Sequence, residues 1–240
     1  MEFPSETSHA KNVSNFGSLL VSIEVLGNLY NPGKEGLKLV HLKTLHRQGK
    51  SVMQGVALSL GVYAAAVESR RKAWEGIDSL AKRILDVYEK SEEESSKTSS
   101  LSTLLNQVKG DSGSFAEHVT VQQGLKFNAL LSRLSFEERL DSFEELISMI
   151  SESSVGASER GLLLITSLHA LQSNFRSKNI NVKLAEAALN TARYNRDVLL
   201  YKQENNLVSV AEEVKDYIKN TLGPSFSQYM QIMDMTFIPS

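Results

Sequence analysis

Five histidines and several paired carboxylates are the residues of this chain whose chemistry could serve a metal site or acid–base catalysis. The histidines stand at positions 9, 41, 46, 118 and 169. His41 and His46 are five residues apart, whereas two metal ligands on one helical face are four apart. The acidic pairs Glu137-Glu138 and Glu144-Glu145 fit a solvated helix face, and no pattern predicts the buried pocket that acid–base catalysis needs. We therefore expect no metal ion and no other cofactor.

Serine is abundant but never stands in a catalytic motif. The chain lacks the Gly-x-Ser-x-Gly elbow of hydrolases and the glycine-rich loop that cradles nucleotide phosphates. It also lacks cysteine, which excludes disulfides and thiolate metal sites and is typical of a reducing compartment. The net charge of −2 provides none of the basic excess that nucleic-acid-binding proteins carry. We expect a cytoplasmic protein that is not an enzyme and does not bind nucleic acid.

The pattern of prolines and apolar residues predicts an all-α protein. Prolines occur only at positions 4, 32, 224 and 239, so residues 33–223 lack the strongest helix breaker. Apolar residues recur there at helical intervals, and no β-branched or aromatic run is bounded by turn residues. We predict an elongated antiparallel bundle of three long, kinked helices with short helices at both ends. The long helices are expected at about 34–93, 115–175 and 180–222.

Turn and linker residues divide the helical chain. Residues 1–13 are polar, and we expect them to be disordered. A short amphipathic helix is predicted at 14–31, followed by an elongated helical domain at 34–237. The polar segment 94–113 predicts a flexible linker within that domain, and Ser177-Lys178-Asn179 predicts a turn.

The stretch 16–30 permits two interpretations. Its apolar residues are three and four apart, so it is either a helix lying in a membrane interface or a helix packed on the bundle. Packing is favoured, because the polar face carries Glu24 and no lysine or arginine. This stretch is also the best candidate for a membrane span, but it falls short of the roughly 20 apolar residues required.

Charge is distributed unevenly along the chain although its total is small. Residues 34–50 contain five cations and one acid, a local charge of +4, and residues 160–202 contain seven cations and two acids, a local charge of +5. Residues 131–159 contain two cations and seven acids, a local charge of −5. In an up-down-up bundle both basic segments lie at one end, where they would attract anionic lipid headgroups. The predicted membrane-binding residues are Lys34, Lys38, Lys43, Arg47, Arg176, Lys178 and Lys183.

The predicted layout resembles a BAR domain, most closely the sorting-nexin type. Phe143-Glu144-Glu145-Leu146, followed by Ser158-Glu159-Arg160-Gly161 and a leucine-rich run to Leu171, is similar to the middle of that family's second helix. The resemblance implies an antiparallel homodimer, peripheral on endosomal membranes, that senses or induces curvature in protein transport. It also implies that Lys178 and Lys183 lie near the distal tip. Dimerisation is expected on physical grounds as well, since three helices of this length cannot bury all their apolar surface among themselves.

Two other functions are compatible with the same residues. A cytosolic coiled-coil adaptor would bind partner proteins without contacting lipid, and an α-helical pore-forming toxin subunit would insert residues 16–30. Salt distinguishes the first from an electrostatic membrane contact, because exposed charges are screened within about 10 Å at 0.1 M. An apolar adaptor interface should tolerate high salt.

Overall fold

Helices are the regular elements throughout the residues that the structure, a computed structural model, describes. These residues are 6–90, 95–110, 124–153, 159–224 and 228–239. The all-α prediction is confirmed for them. The α-helices are α1 (Glu6–Leu26), α2 (Leu39–Ala73), α3 (Ile77–Glu89), α4 (Ser95–Lys109), α5 (Gly124–Ser151), α6 (Glu159–Asp197), α7 (Leu207–Thr221) and α8 (Tyr229–Met233). Short 3-10 turns follow α1 at Gly27–Leu29 and precede α2 at Glu35–Leu37, and a π-helical turn follows α6 at Val198–Lys202.

The chain forms two units, and each has its own hydrophobic core. Unit 1 comprises Met1–Tyr63 and Ala185–Ser240, and unit 2 comprises Ala64–Leu184. Helices α2 and α6 contribute residues to both units. The buried side chains form two separate clusters, one in each unit.

The core of unit 1 is built on α1. Phe16, Leu19 and Ile23 lie three and four positions apart and are at most 2% exposed, in one cluster with Val214 and Ile218 of α7. The side chain of Tyr30 donates a hydrogen bond to the carbonyl of Leu37 (2.8 Å). The packing interpretation of residues 16–30 is therefore the one that the structure supports.

Helix α1 begins at Glu6, so the disorder expected for residues 1–13 is corrected for residues 6–13; residues 1–5 lie outside the described chain. Residues 6–13 are ordered because two of their polar side chains bond to residues far away in the sequence. His9 Nδ1 lies 2.7 Å from the hydroxyl of Tyr201. The Asn12 amide donates to the carbonyl of Ile238 and accepts from its N–H, both at 2.9 Å. These partners are about 190 or more residues away, so no local pattern could predict them.

The core of unit 2 is aromatic. Trp74 stacks on Phe175 with 4.0 Å between ring centroids, and Phe143 meets Phe175 edge to face at 5.3 Å. The guanidinium of Arg139 lies 4.3 Å from the Trp74 ring centroid, and its Nε donates to the carbonyl of Val108 (2.8 Å). Arg139 thereby ties α5 to the end of α4 as well as to Trp74.

The flexible linker predicted at 94–113 is corrected over 95–109, which forms α4. Leu101, Leu105 and Val108 are at most 3% exposed in the core of unit 2. Their spacing of three and four positions gives the serine-rich helix an apolar face, and burial of that face outweighs the poor helix propensity of serine. Residue 94 and residues 111–113, which are the rest of the predicted linker, lie outside the described residues.

Two helix boundaries also differ from the prediction. The helix expected at 34–93 is broken between Ala73, where α2 ends, and Ile77, where α3 begins, and Gly76 adopts a φ of 85° in this break. The turn expected at Ser177-Lys178-Asn179 is wrong, because α6 continues through it. Asn179 is buried, and its amide nitrogen donates a hydrogen bond to the carbonyl of Phe136 (3.2 Å), a partner that α5 provides within the helical conformation. The α6–α7 break comes later, where Asn206 caps α7 by accepting from the N–H of Ser209 (2.9 Å).

Candidate functional site

The middle of α2 is apolar and lies on the surface. Residues 51–67, called here the apolar segment, contain no charged side chain between Lys50 and Glu68. Val56 alone is buried in this segment, whose side chains are all described. Leu58 is 65% exposed and Val62 is 60% exposed. Contiguous apolar surface of this kind marks a place where a soluble fold meets another protein or a membrane.

More than half of the circumference of the segment faces solvent. The exposed residues, called here the exposed arc, are Ser51, Gln54, Ala57, Leu58, Leu60, Gly61, Val62, Ala64 and Ala65. At 100° per residue they cover about 200° of the helix. A helix that packs on its own core by one face normally carries charges on the other. Here the outward face has none.

Two glycines in the segment are not required by packing against the described part of the chain. A Cβ added at Gly55 or Gly61 would meet none of its atoms within 4 Å. Glycine in an exposed helix costs about 1 kcal/mol relative to alanine. Ala57, Gly61 and Ala65 are four apart on the exposed arc, so this side of the backbone is open to close approach.

Length and composition match those of a membrane segment. Among the described residues, one helical stretch, within Leu39–Glu89, is long and apolar enough to cross a membrane on these criteria, and 6% of its most apolar 18 residues are buried. We expected the best candidate at 16–30, whose apolar face instead lies in the core of unit 1. The signal that identifies α2 is the absence of charge between Lys50 and Glu68, which a search for one-sided periodicity overlooks.

Cations stand at both ends of the apolar segment. Arg47 and Lys50 are exposed before it, and Arg71 and Lys72 are exposed after it. Arg71 donates to both carboxylate oxygens of Glu68 at 2.8 Å, and this hydrogen bonding lowers the pKa of the Glu68 carboxyl. Arg71 also pairs with Glu75 (2.7 Å), and exposed ion pairs of this kind are worth only about 0–1 kcal/mol each.

The four membrane-binding residues predicted in unit 1 lie on or just before α2. The Nζ atoms of Lys34 and Lys43 are 2.5 Å from carboxylate oxygens of Glu213 and Glu24, respectively. Lys38 pairs with Glu35. Arg47 donates to the hydroxyl of Thr44 (3.1 Å). Two of the acids come from α7 and α1, so a charge count along residues 34–50 omitted them.

The other three predicted residues belong to unit 2 and lie on α6. Arg176 pairs with Glu144, and Lys183 Nζ lies 2.9 Å from Glu137 Oε1. Lys178 is half-buried. Both acids come from α5, the segment that the sequence marks as acidic. The structure thus assigns the predicted cations to two units and gives five of the seven a carboxylate partner.

An open groove of about 620 Å³ lies between α1 and α2 on the surface of unit 1. Val13 and Val21 line it from α1, and His46, Lys50 and Met53 line it from α2. Burial and the nearby charge of Lys50 lower the pKa of His46. The groove contains no carboxylate among its lining residues and so offers no acid–base pair. Met53 belongs to the apolar segment, so the groove extends that surface toward α1.

The histidines and acids form no metal centre in the part of the chain that the structure describes, where no group of three could hold an ion. His41 lies 3.0 Å from Glu35, and both are exposed. His9 contacts Tyr201, and burial raises the pKa of the Tyr201 hydroxyl. Through Asn12, this cluster fastens α1 to Tyr201 and the C-terminal residues, which is a structural role.

No family model, curated protein or solved structure matches the chain. The resemblance to BAR domains therefore rests on the predicted layout alone.

Proposed function

We propose that this protein binds anionic membranes through the apolar segment of α2. The observation that carries the proposal is an exposed, charge-free arc with exposed cations beyond both ends, Lys50 directly before it and Arg71 and Lys72 after Glu68. Apolar side chains gain by leaving water for the acyl region of a bilayer. Each cation near an anionic surface adds about 1 kcal/mol. The two kinds of contact fit one ligand, a membrane with anionic headgroups.

The finer form of the proposal is the curvature-sensing homodimer that the BAR resemblance implies, peripheral on endosomal-type membranes. That form requires three long helices in one antiparallel bundle and places Lys178 and Lys183 at its tip. The division of the buried side chains into two cores lends this layout no support. Membrane binding through α2 is independent of the layout and can be tested separately.

Co-sedimentation with vesicles tests membrane binding. The protein should pellet with anionic vesicles and much less with zwitterionic ones, and raising the salt concentration should weaken the binding only partly. Leu58→Glu places a charge in the exposed arc, and we expect it to weaken binding about tenfold or more, a loss of about 1.4 kcal/mol. A pair of changes, Lys178→Glu with Lys183→Glu, tests the distal-tip contact of the finer form.

Leu163→Glu is the matched control. Leu163 is 67% exposed on α6, almost the same as Leu58 at 65%, and lies outside the apolar segment. It should leave binding unchanged. Equal losses in the two variants would show that the apolar segment has no special role, and no pelleting of the unaltered protein under any condition would refute membrane binding altogether.

Self-association is the second candidate, in keeping with a coiled-coil adaptor. The row of Ala57, Gly61 and Ala65 favours it, because small residues four apart let two helices approach closely. Sedimentation velocity without lipid separates the two functions. A stable dimer that Leu58→Glu converts to a monomer would favour a protein interface on α2.

A further inference from the structure

Taking the proposed membrane binding as its basis, we infer that α2 lies in the plane of the membrane and immerses its exposed arc in one leaflet. The immersed residues would be centred on Ala57, Leu58, Gly61, Val62 and Ala65. The occupant of this surface is thus the boundary between headgroups and acyl chains. A transmembrane orientation, which length and composition alone permit, is the rival arrangement.

The anchoring of α2 at both ends favours the in-plane arrangement. Before the apolar segment, Leu42 is fully buried in the core of unit 1. Immediately after the helix, Trp74 stacks on Phe175 in the core of unit 2. Crossing the bilayer would require one unit to pass through the hydrocarbon with its charged side chains, which is costly. Lying in the interface leaves both cores closed.

The uneven burial around the segment points the same way. The exposed arc covers about 200° of the circumference, whereas Val56 on the opposite side is buried. An interfacial helix needs one face turned to the acyl chains and another kept away from them, and it sinks about 5–10 Å. In α2 the second face is half-buried, with Val56 buried at its middle.

The flanking cations suit a helix that lies flat. The 17 residues of the segment span about 26 Å at 1.5 Å per residue. Arg47 and Lys50 at one end and Arg71 and Lys72 at the other would then reach phosphates of the same leaflet. A helix immersed in this way spreads the headgroups, so binding should be tighter on small vesicles than on large ones, by about threefold or more.

A cysteine scan tests the orientation, and the absence of cysteine from the chain makes it clean. Single cysteines from position 54 to position 65 would carry an environment-sensitive fluorophore, and the protein would bind anionic vesicles containing lipid quenchers placed shallow or deep. We expect shallow quenching with a period of 3.6 residues. Its maxima should fall near Leu58, Gly61 and Ala65, and its minima near Val56, Ser59 and Tyr63. A label at Leu163 should remain unquenched.

The outcomes of the scan distinguish a failure of the in-plane orientation from a failure of membrane binding itself. A single maximum with the deep quencher at the middle of the segment would show that α2 spans the membrane and would overturn the in-plane arrangement alone. Pelleting without any quenching would overturn it too, since binding would then use another surface. Labels on the arc that are shielded before vesicles are added would identify a second copy as the occupant. No pelleting at all would refute the proposed function and this inference together.

Discussion

Helix α1 and the apolar segment of α2 have similar lengths, 21 and 17 residues, and opposite environments. In α1 the apolar residues form one face, and Phe16 and Ile23 are at most 2% exposed. In the α2 segment apolar residues surround the helix, and Leu58 and Val62 are at least 60% exposed. The one-sided apolar face of α1 is buried in the core. The charge-free segment of α2 has no such face, and its apolar surface stays exposed to a binding partner outside the chain.

The same contrast exists within α2 itself. Near its start, the His46 ring lies 6.3 Å from Phe16 of α1, and Gly49 is buried between helices. A few turns later Gly55 and Gly61 have open space where a Cβ would be. One helix thus passes from a structural part to a part whose surface is free to bind, and substitutions should distinguish the two.

The largest effect should come from the packed helix. Phe16→Ala removes a fully buried ring from the core of unit 1 and should lower the free energy of unfolding by about 3–5 kcal/mol. Leu58→Ala removes an exposed side chain and should change it by about 0.5 kcal/mol or less. Urea unfolding followed by far-UV circular dichroism measures both. Similar losses would mean that α2 is packed as firmly as α1, and the contrast would disappear.

A pair of glycine substitutions should give opposite signs. Gly61→Ala adds a methyl group into open space and improves helix propensity, so it should stabilise the protein by about 0.5–1 kcal/mol. At Gly49 the added Cβ would lie 3.0 Å from Leu207 Cδ1 and 3.5 Å from both methyl groups of Val13, all buried, so Gly49→Ala should destabilise by about 1 kcal/mol. Melting temperatures compare the two variants. Stabilisation by both would show that the α1–α2–α7 packing has spare room.

The smallest effect concerns pH. The pKa of His46 in the folded protein lies below its ordinary value of about 6.5, because burial and Lys50 disfavour its charged form. As the pH falls from about 6.5 through this lowered pKa, the unfolded chain binds a proton that the folded protein does not, so stability falls and then levels off. His46→Gln should flatten that part of the profile of urea midpoints between pH 5 and 8.

His169→Gln, an exposed change on α6, is the control and should leave the profile unaltered. If His46→Gln does not change the profile, another group causes the loss of stability at low pH. The burial of His46 at the start of α2 would then not explain the pH dependence.

The sequence predicted the helices and one of their environments well. Residues 16–30 have apolar side chains three and four apart, and the absence of lysine and arginine from their polar face favoured packing against a core over a membrane interface. The third long helix was expected to end at 222, next to Gly223-Pro224, and α7 ends at Thr221, with Gly223 adopting a φ of 69° just after it. These features depend on residues that are close together in the chain, which is why local patterns are sufficient.

Other boundaries depended on distant partners. Asn179 resembles a turn residue until the carbonyl of Phe136, 43 positions away, accepts its hydrogen bond within α6. Residues 6–13 resemble a disordered terminus until Tyr201 and Ile238 provide partners for His9 and Asn12. The prediction of a basic patch also missed distant partners. Its lysines pair with Glu24, Glu137 and Glu213, which only the folded structure brings close to them.

The sequence by itself determined that this chain is helical, that it carries no catalytic motif, and that one stretch of 17 residues contains no charge. The tertiary structure decided which apolar residues are buried, because burial depends on which helices meet and not on composition. It placed the apolar face of α1 in a core and left much of the apolar segment of α2 exposed. Residues near the two ends of α2 pack into the two cores, and few residues of its middle do. The exposed side of that middle is therefore the surface on which the proposed membrane binding depends.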